Sequence, residues 1–184
     1  MSEPQATALA EYYELLQLPR KLSIDPEELQ RRYYELSRQL HPDRFMRHPE
    51  AERQHALELS SVLNDGYRTL RDPVKRAMYF LKREGFEIGE QRSHDVPPEL
   101  LEEVFELNMA LEEMRSGDDS MRPQLEAAAR NFTSMLKGAD DELEDLFEKY
   151  DNAPGRATLE EIRAVLNRRK YIENLVRQVE EALQ

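Results

Sequence analysis

Few side chains in this 184-residue chain could do chemistry, because it has no cysteine and only four histidines. The most informative group is His41-Pro42-Asp43, an imidazole and a carboxylate on either side of a proline. A catalytic His-Asp pair would need a nucleophile or a third group, and the sequence indicates neither. A metal site built from His41, Asp43, His48 and His55 is poorly supported, since His48 and His55 lie seven residues apart with no ligand motif between them. What remains is display. Pro42 stiffens a turn and holds its neighbours outward, and the Asp43 carboxylate suits an arginine on a partner. Taken alone, the three residues serve equally as a turn that stops a helix.

The flanking elements decide whether that turn is presented. Asp25 is a predicted helix cap, Pro26 the first helical residue, and Glu28 completes a capping-box-like pattern. Leu29, Tyr33, Leu36 and Leu40 then recur every three or four residues and form one apolar face. The helix should stop near Leu40, because Pro42 disfavours helical geometry at His41. A second helix is predicted over 49–71, with Leu59, Leu63, Tyr67 and Leu70 inward. A short helix over about 9–16 precedes this pair, and Asp72-Pro73 opens another that ends near Gly85. Arg31 and Arg38 fall nearly opposite the apolar face at about 100° per residue. Such arginines often form an ordinary solvated face, and Glu35 between them could neutralise the pair.

Composition excludes several function classes. The net charge of −12 disfavours nucleic acid, which requires a clustered cationic surface. The acidity is uneven, with 15 basic and 17 acidic residues in 1–96 against 11 and 21 in 97–184. No basic, apolar leader begins the chain and no run of 18 apolar residues occurs, so the expectation is a cytoplasmic protein with no membrane partner. The chain is rich in Glu, Leu, Arg and Ala and has no alternating β pattern, so its predicted class is all-α. The Gly- and Pro-bearing stretch 85–97 divides a first domain, 1–84, from a second, 98–184.

The second domain reads as three antiparallel helices over about 97–115, 119–150 and 158–183, the last opened by a capping box at Thr158-Leu-Glu-Glu161. Leu100, Val104, Leu107, Leu111 and Met114 form the core stripe of the first. Leu101, Phe105 and Met109 form another, displaced by roughly 120°. In the last helix Ile162, Val165, Ile172, Val176 and Val179 face the core, while Tyr171 and Leu175 point elsewhere. Spacing alone fits a partner surface and a helix buried on two sides equally well.

From Tyr12-Tyr-Glu-Leu-Leu16 to Arg76-Ala77-Met-Tyr79 the chain resembles a J domain, an antiparallel helical hairpin with short flanking helices. The resemblance implies that His41, Pro42, Asp43, Arg31, Arg32, Arg38 and Arg44 bind a DnaK-class chaperone and stimulate its ATPase. With an acidic three-helix bundle following, the whole chain resembles the HscB family, co-chaperones of iron–sulfur cluster assembly. Leu100-Leu-Glu-Glu-Val-Phe-Glu-Leu-Asn-Met-Ala-Leu111 and Arg168-Arg-Lys-Tyr-Ile-Glu-Asn-Leu175 carry that likeness, together with Tyr79-Phe-Leu81 and Gly85-Phe86. It implies that the bundle binds an IscU-type iron–sulfur scaffold protein and delivers it to an HscA-class chaperone, with no catalysis or cofactor of its own. The implied scaffold contacts are Leu101, Glu102, Phe105, Glu106, Met109 and Tyr171. Glu102 stands where the family is commonly apolar and Met109 where it is commonly acidic, so the contact chemistry is rearranged. The alternative is a general J-domain co-chaperone feeding unfolded clients to a housekeeping chaperone. The glycine- and phenylalanine-rich linker and cysteine-rich zinc repeats usual for that class are missing.

Overall fold

A computed structural model describes residues 11–86, 98–117 and 119–184, and every described regular element is helical. The chain divides into two compact units, Met1–Phe80 and Leu81–Gln184. That division falls within a helix, ahead of the boundary predicted at residue 84. The predicted linker lies outside the described residues from 87 to 97, as does Leu9 of the first predicted helix.

In the first unit, α1 (Tyr12–Leu15), α2 (Pro26–Gln39) and α3 (Glu50–Arg71) precede α4 (Pro73–Arg83), which runs on past the division. Helix α1 is a single turn. It ends where Gln17 adopts a left-handed φ of 54°, which lets the Leu18 amide donate to the Tyr13 carbonyl at 2.9 Å. Tyr13 and Leu16 are buried, and the Tyr13 hydroxyl donates to the Lys21 carbonyl at 2.8 Å.

Asp25 caps α2 as predicted, accepting from the Glu27 amide at 2.9 Å, with Pro26 as the first helical residue. Glu28 does not complete a capping box. Its carboxylate turns along the helix to Arg31 and Arg32, where charge–charge attraction outweighs a return to the helix end. Leu29, Leu63 and Leu70 are fully buried, and Tyr33 stacks on Tyr67 with ring centroids 4.1 Å apart. The Tyr33 hydroxyl donates to Asn64 Oδ1 at 2.8 Å, so its polar end is satisfied where its ring packs. At the far end of α3, Asp72 Oδ1 caps α4 by accepting from the amides of Val74 and Lys75, both at 3.0 Å.

In the second unit, 3₁₀ turns over Pro98–Leu100 and Asp119–Met121 lead into α5 (Leu101–Arg115) and α6 (Arg122–Asn152), followed by α7 (Arg156–Leu183). At 1.5 Å per residue, α6 and α7 are about 46 and 42 Å long and α5 about 22 Å. The long pair therefore zips along its length, and α5 covers only one part of it. Helix α6 runs unbroken through Gly138, as its phase predicts. Leu100, Val104, Leu107, Leu111, Leu125, Phe132, Ile172 and Val179 join in one core.

Two expectations for α7 fail. The helix starts at Arg156 rather than Thr158, no side chain caps it, and Thr158 is buried within its first turn. Leu175 belongs to the same core as Ile172 instead of pointing away, because α7 is flanked by both α5 and α6 and buries a wider arc than one stripe. Among the described residues no helix is long and apolar enough to cross a membrane.

Gly66 marks the tightest approach in the first unit. A Cβ placed there would lie 3.0 Å from Tyr12 Cδ1 and 3.2 Å from Cγ. The Tyr12 ring is held from behind by Tyr79, stacked 4.6 Å away, and the Tyr79 hydroxyl accepts from the Tyr12 amide. Alanine in a helix interior normally gains up to about 1 kcal/mol over glycine. Here overpacking wins, and Gly66→Ala should lower unfolding free energy by about 1 kcal/mol in a urea melt. A gain instead of a loss would mean that Tyr12 is free to move.

Candidate functional site

The proline-containing turn is an exposed, separate element. Helix α2 closes with the Leu40 amide donating to the Leu36 carbonyl at 2.9 Å, and His41 then leaves helical geometry at φ −61°, ψ 130°. Pro42–Phe45 form a 3₁₀ turn, closed where the Arg44 amide donates to the His41 carbonyl at 3.0 Å. His41 Nδ1 accepts from the Asp43 amide at 3.3 Å, which requires that nitrogen to be unprotonated. Asp43 Oδ2 lies 3.5 Å from the same nitrogen. His41, Pro42, Asp43 and Arg44 are all exposed. Only Phe45 turns inward, 5.3 Å from the His48 ring, and His48 Nδ1 is 2.7 Å from Glu52 Oε2. No cluster of potential metal ligands occurs among the described residues.

The three cations predicted on α2 are not equivalent. Arg38 is exposed and, among the described residues, has no carboxylate partner. Arg31 is 61% exposed but meets Glu28 Oε1 at 3.0 Å. Arg32 is 33% exposed, meets the same Glu28 oxygen at 3.2 Å, and donates to Gln17 Oε1 at 3.4 Å. Glu28, not Glu35, is thus the residue that offsets this face. Arg32 is occupied within the unit, a role invisible without knowing that Gln17 comes beside α2. Tyr34 is absent from the predicted set, yet it is one of the few large apolar side chains left exposed. Its signal was available, since it lies three residues after Arg31 and four before Arg38.

The bundle carries a second exposed surface. Leu101, Phe105 and Met109 are 55%, 66% and 52% exposed, so among the described residues the extra stripe on α5 is left largely uncovered. Glu102 and Glu106, also exposed, lie beside it. Next to Glu106, a half-open cavity of about 230 Å³ between α5 and α6 is lined by Glu103, Leu107, Gln124, Ala128, Asn131 and Phe132, among others. Tyr171 does not share that exposure. It is half-buried against the bundle core, and burial pushes its hydroxyl above the usual tyrosine range. The five α5 residues form one surface, while Tyr171 belongs mainly to the packing beneath.

Residues 11–79 match the DnaJ domain, and residues 96–180 match the HSCB C-terminal oligomerisation domain. Over 178 residues the chain is 30% identical to the iron-sulfur cluster co-chaperone protein HscB of Homo sapiens, covering 94% of this chain and 71% of the human protein. Its fold is similar to the chaperone HscB from Vibrio cholerae, with a TM-score of 0.65 and 27% identity over 93% of this chain and 96% of that one. The crystal structure of human co-chaperone protein HscB gives a TM-score of 0.69 at 27% identity, over 98% of this chain and 83% of that one.

Exposure and burial on α5 make a direct contrast. Phe105→Ser should change unfolding free energy by no more than about 0.5 kcal/mol. Leu107→Ala, two residues on and buried, should cost about 2–5 kcal/mol. Calorimetry of both variants checks the assignment, and a large loss from Phe105→Ser would mean that the ring is packed.

Proposed function

The chain belongs to the HscB family of J-domain co-chaperones, and from that premise we propose that it is an adaptor between two proteins in iron–sulfur cluster assembly. Its first unit stimulates ATP hydrolysis by a DnaK/HscA-class chaperone, and its bundle delivers an IscU-type scaffold to that chaperone. The observation that carries the reading is the exposed His41-Pro42-Asp43 turn at the end of a helix bearing Arg31 and Arg38. An exposed carboxylate presented by a stiff turn suits a charge-assisted bond to an arginine. Cations upstream on the same helix would steer an acidic chaperone surface toward it. Of the contact set implied by family likeness, Arg38, His41, Pro42, Asp43 and Arg44 are exposed and lie outside the Glu28 ion pairs. Arg31 must exchange Glu28 for a partner, and Arg32 must give up two bonds.

For the scaffold, the exposed Leu101, Phe105 and Met109 stripe with Glu102 and Glu106 at its side supports an apolar contact with an acidic rim. Tyr171 contributes less directly, by supporting the bundle from its half-buried position. With no cysteine in the chain, a cluster carried by the scaffold gains no thiolate ligand from the adaptor.

Two measurements test this. With chaperone, scaffold and ATP, the protein should raise hydrolysis above the rate with scaffold alone. His41→Gln should abolish the increase, and retained stimulation would remove the turn from the mechanism. Calorimetric binding should be tight for an IscU-type scaffold and at least tenfold weaker after Phe105→Ala. Equal affinity for any denatured protein would favour the general co-chaperone reading.

A further inference from the structure

Tyr34 stands in an arrangement that its exposure alone does not explain. Tyr34 is 53% exposed, one of the few large apolar residues so placed among those described. Yet it is not loose. Its ring lies 5.6 Å from that of Tyr33, tilted by 51°. Tyr33 is in turn stacked at 4.1 Å on Tyr67 and bonded to Asn64. Tyr34 is therefore the outer end of an aromatic ladder rooted in the α2–α3 contact. A ring steadied in this way loses little freedom when a partner covers it.

Its neighbours on the helix surface fix what kind of partner that is. Residues three and four apart lie side by side on a helix, about 5–6 Å between Cβ atoms. Arg31, Tyr34 and Arg38 thus form one line along α2, and a further three residues bring that line to His41 at the turn. The line carries two guanidinium groups with an apolar ring between them. Arg32, one residue on from Arg31, falls off this line by helical phase, and it donates to Glu28 and Gln17.

We propose that Tyr34 is the central anchor of the chaperone-binding face, filling an apolar depression on the partner that is flanked by carboxylates for Arg31 and Arg38. This rests on the reading of the turn as the ATPase-stimulating element, and it adds the residue through which α2 grips. Tyrosine and arginine are enriched among the few residues that dominate interface energetics, and those residues cluster near the centre of the contact.

The test uses the full-length protein with a DnaK/HscA-class chaperone, measuring ATPase rate against co-chaperone concentration. Tyr34→Ala should raise the concentration for half-maximal stimulation about tenfold or more, with an unchanged melting temperature because the ring is exposed. Tyr34→Phe should behave as wild type, because the ring and not the hydroxyl fills the depression. Leu57→Ala, which removes an exposed side chain from α3 instead, should also behave as wild type. If the wild-type protein fails to stimulate the chaperone, the reading of the turn falls and the anchor falls with it. If wild type stimulates and Tyr34→Ala matches it at every concentration, the anchor alone is overturned.

Discussion

Where α2 meets α3, the rings of Tyr33 and Tyr67 lie nearly parallel, and the Tyr33 hydroxyl is tied to Asn64 on the opposite helix. This contact, with Leu29 and Leu63 buried in the same unit, holds two helices side by side so that the chain between them must reverse. Without it, Pro42 would mark only a break in a helix. With it, Pro42 sits at the apex of a reversal whose two ends cannot drift, and His41 and Asp43 are carried outward in a fixed relation. The Nδ1 contact of His41 with the Asp43 amide then sets the short turn from within. Rigidity at the turn is thus borrowed from packing well below it. An element that must bind a partner without collapsing onto its own helices needs that arrangement.

The bundle solves a different problem. Helix α5 has about half the length of its two neighbours, yet carries apolar residues for two faces. One face is spent on the core shared with α6 and α7. The other stays open, which a folded chain tolerates only at modest cost and which most chains avoid unless something covers it. The two units therefore present opposite chemistries. One offers a stiff turn with cations, and the other an apolar stripe among carboxylates, in keeping with the uneven distribution of charge along the sequence.

Much of this was legible from residue spacing, because spacing encodes which side of a helix is apolar. The stop at Leu40, the cap at Asp25, the passage of α6 through Gly138 and the two stripes of α5 all follow from local rules. What spacing could not reveal depended on neighbours distant in sequence. Glu28 has the position of a capping-box residue, but two arginines on its own face compete for it and win. Thr158 has the residue type of a cap, but the chain enters α7 earlier and buries it. Leu175 and Tyr171 were paired as outward residues, and α5 and α6 between them cover the first entirely and the second in part. The candidate contact set suffered in the same way: Arg32 matches its neighbours in type, but it is partly buried and donates to Gln17.

The proposed adaptor role makes a demand that neither surface meets alone: damage to one must leave the other intact. The most direct measurement is the affinity of the Asp43→Asn variant for an IscU-type scaffold, taken beside its stimulation of the chaperone ATPase. Removing one exposed carboxylate from the turn should abolish stimulation while leaving scaffold affinity within error of wild type. Loss of both together, in a variant that remains folded, would contradict the division of labour between the turn and the stripe.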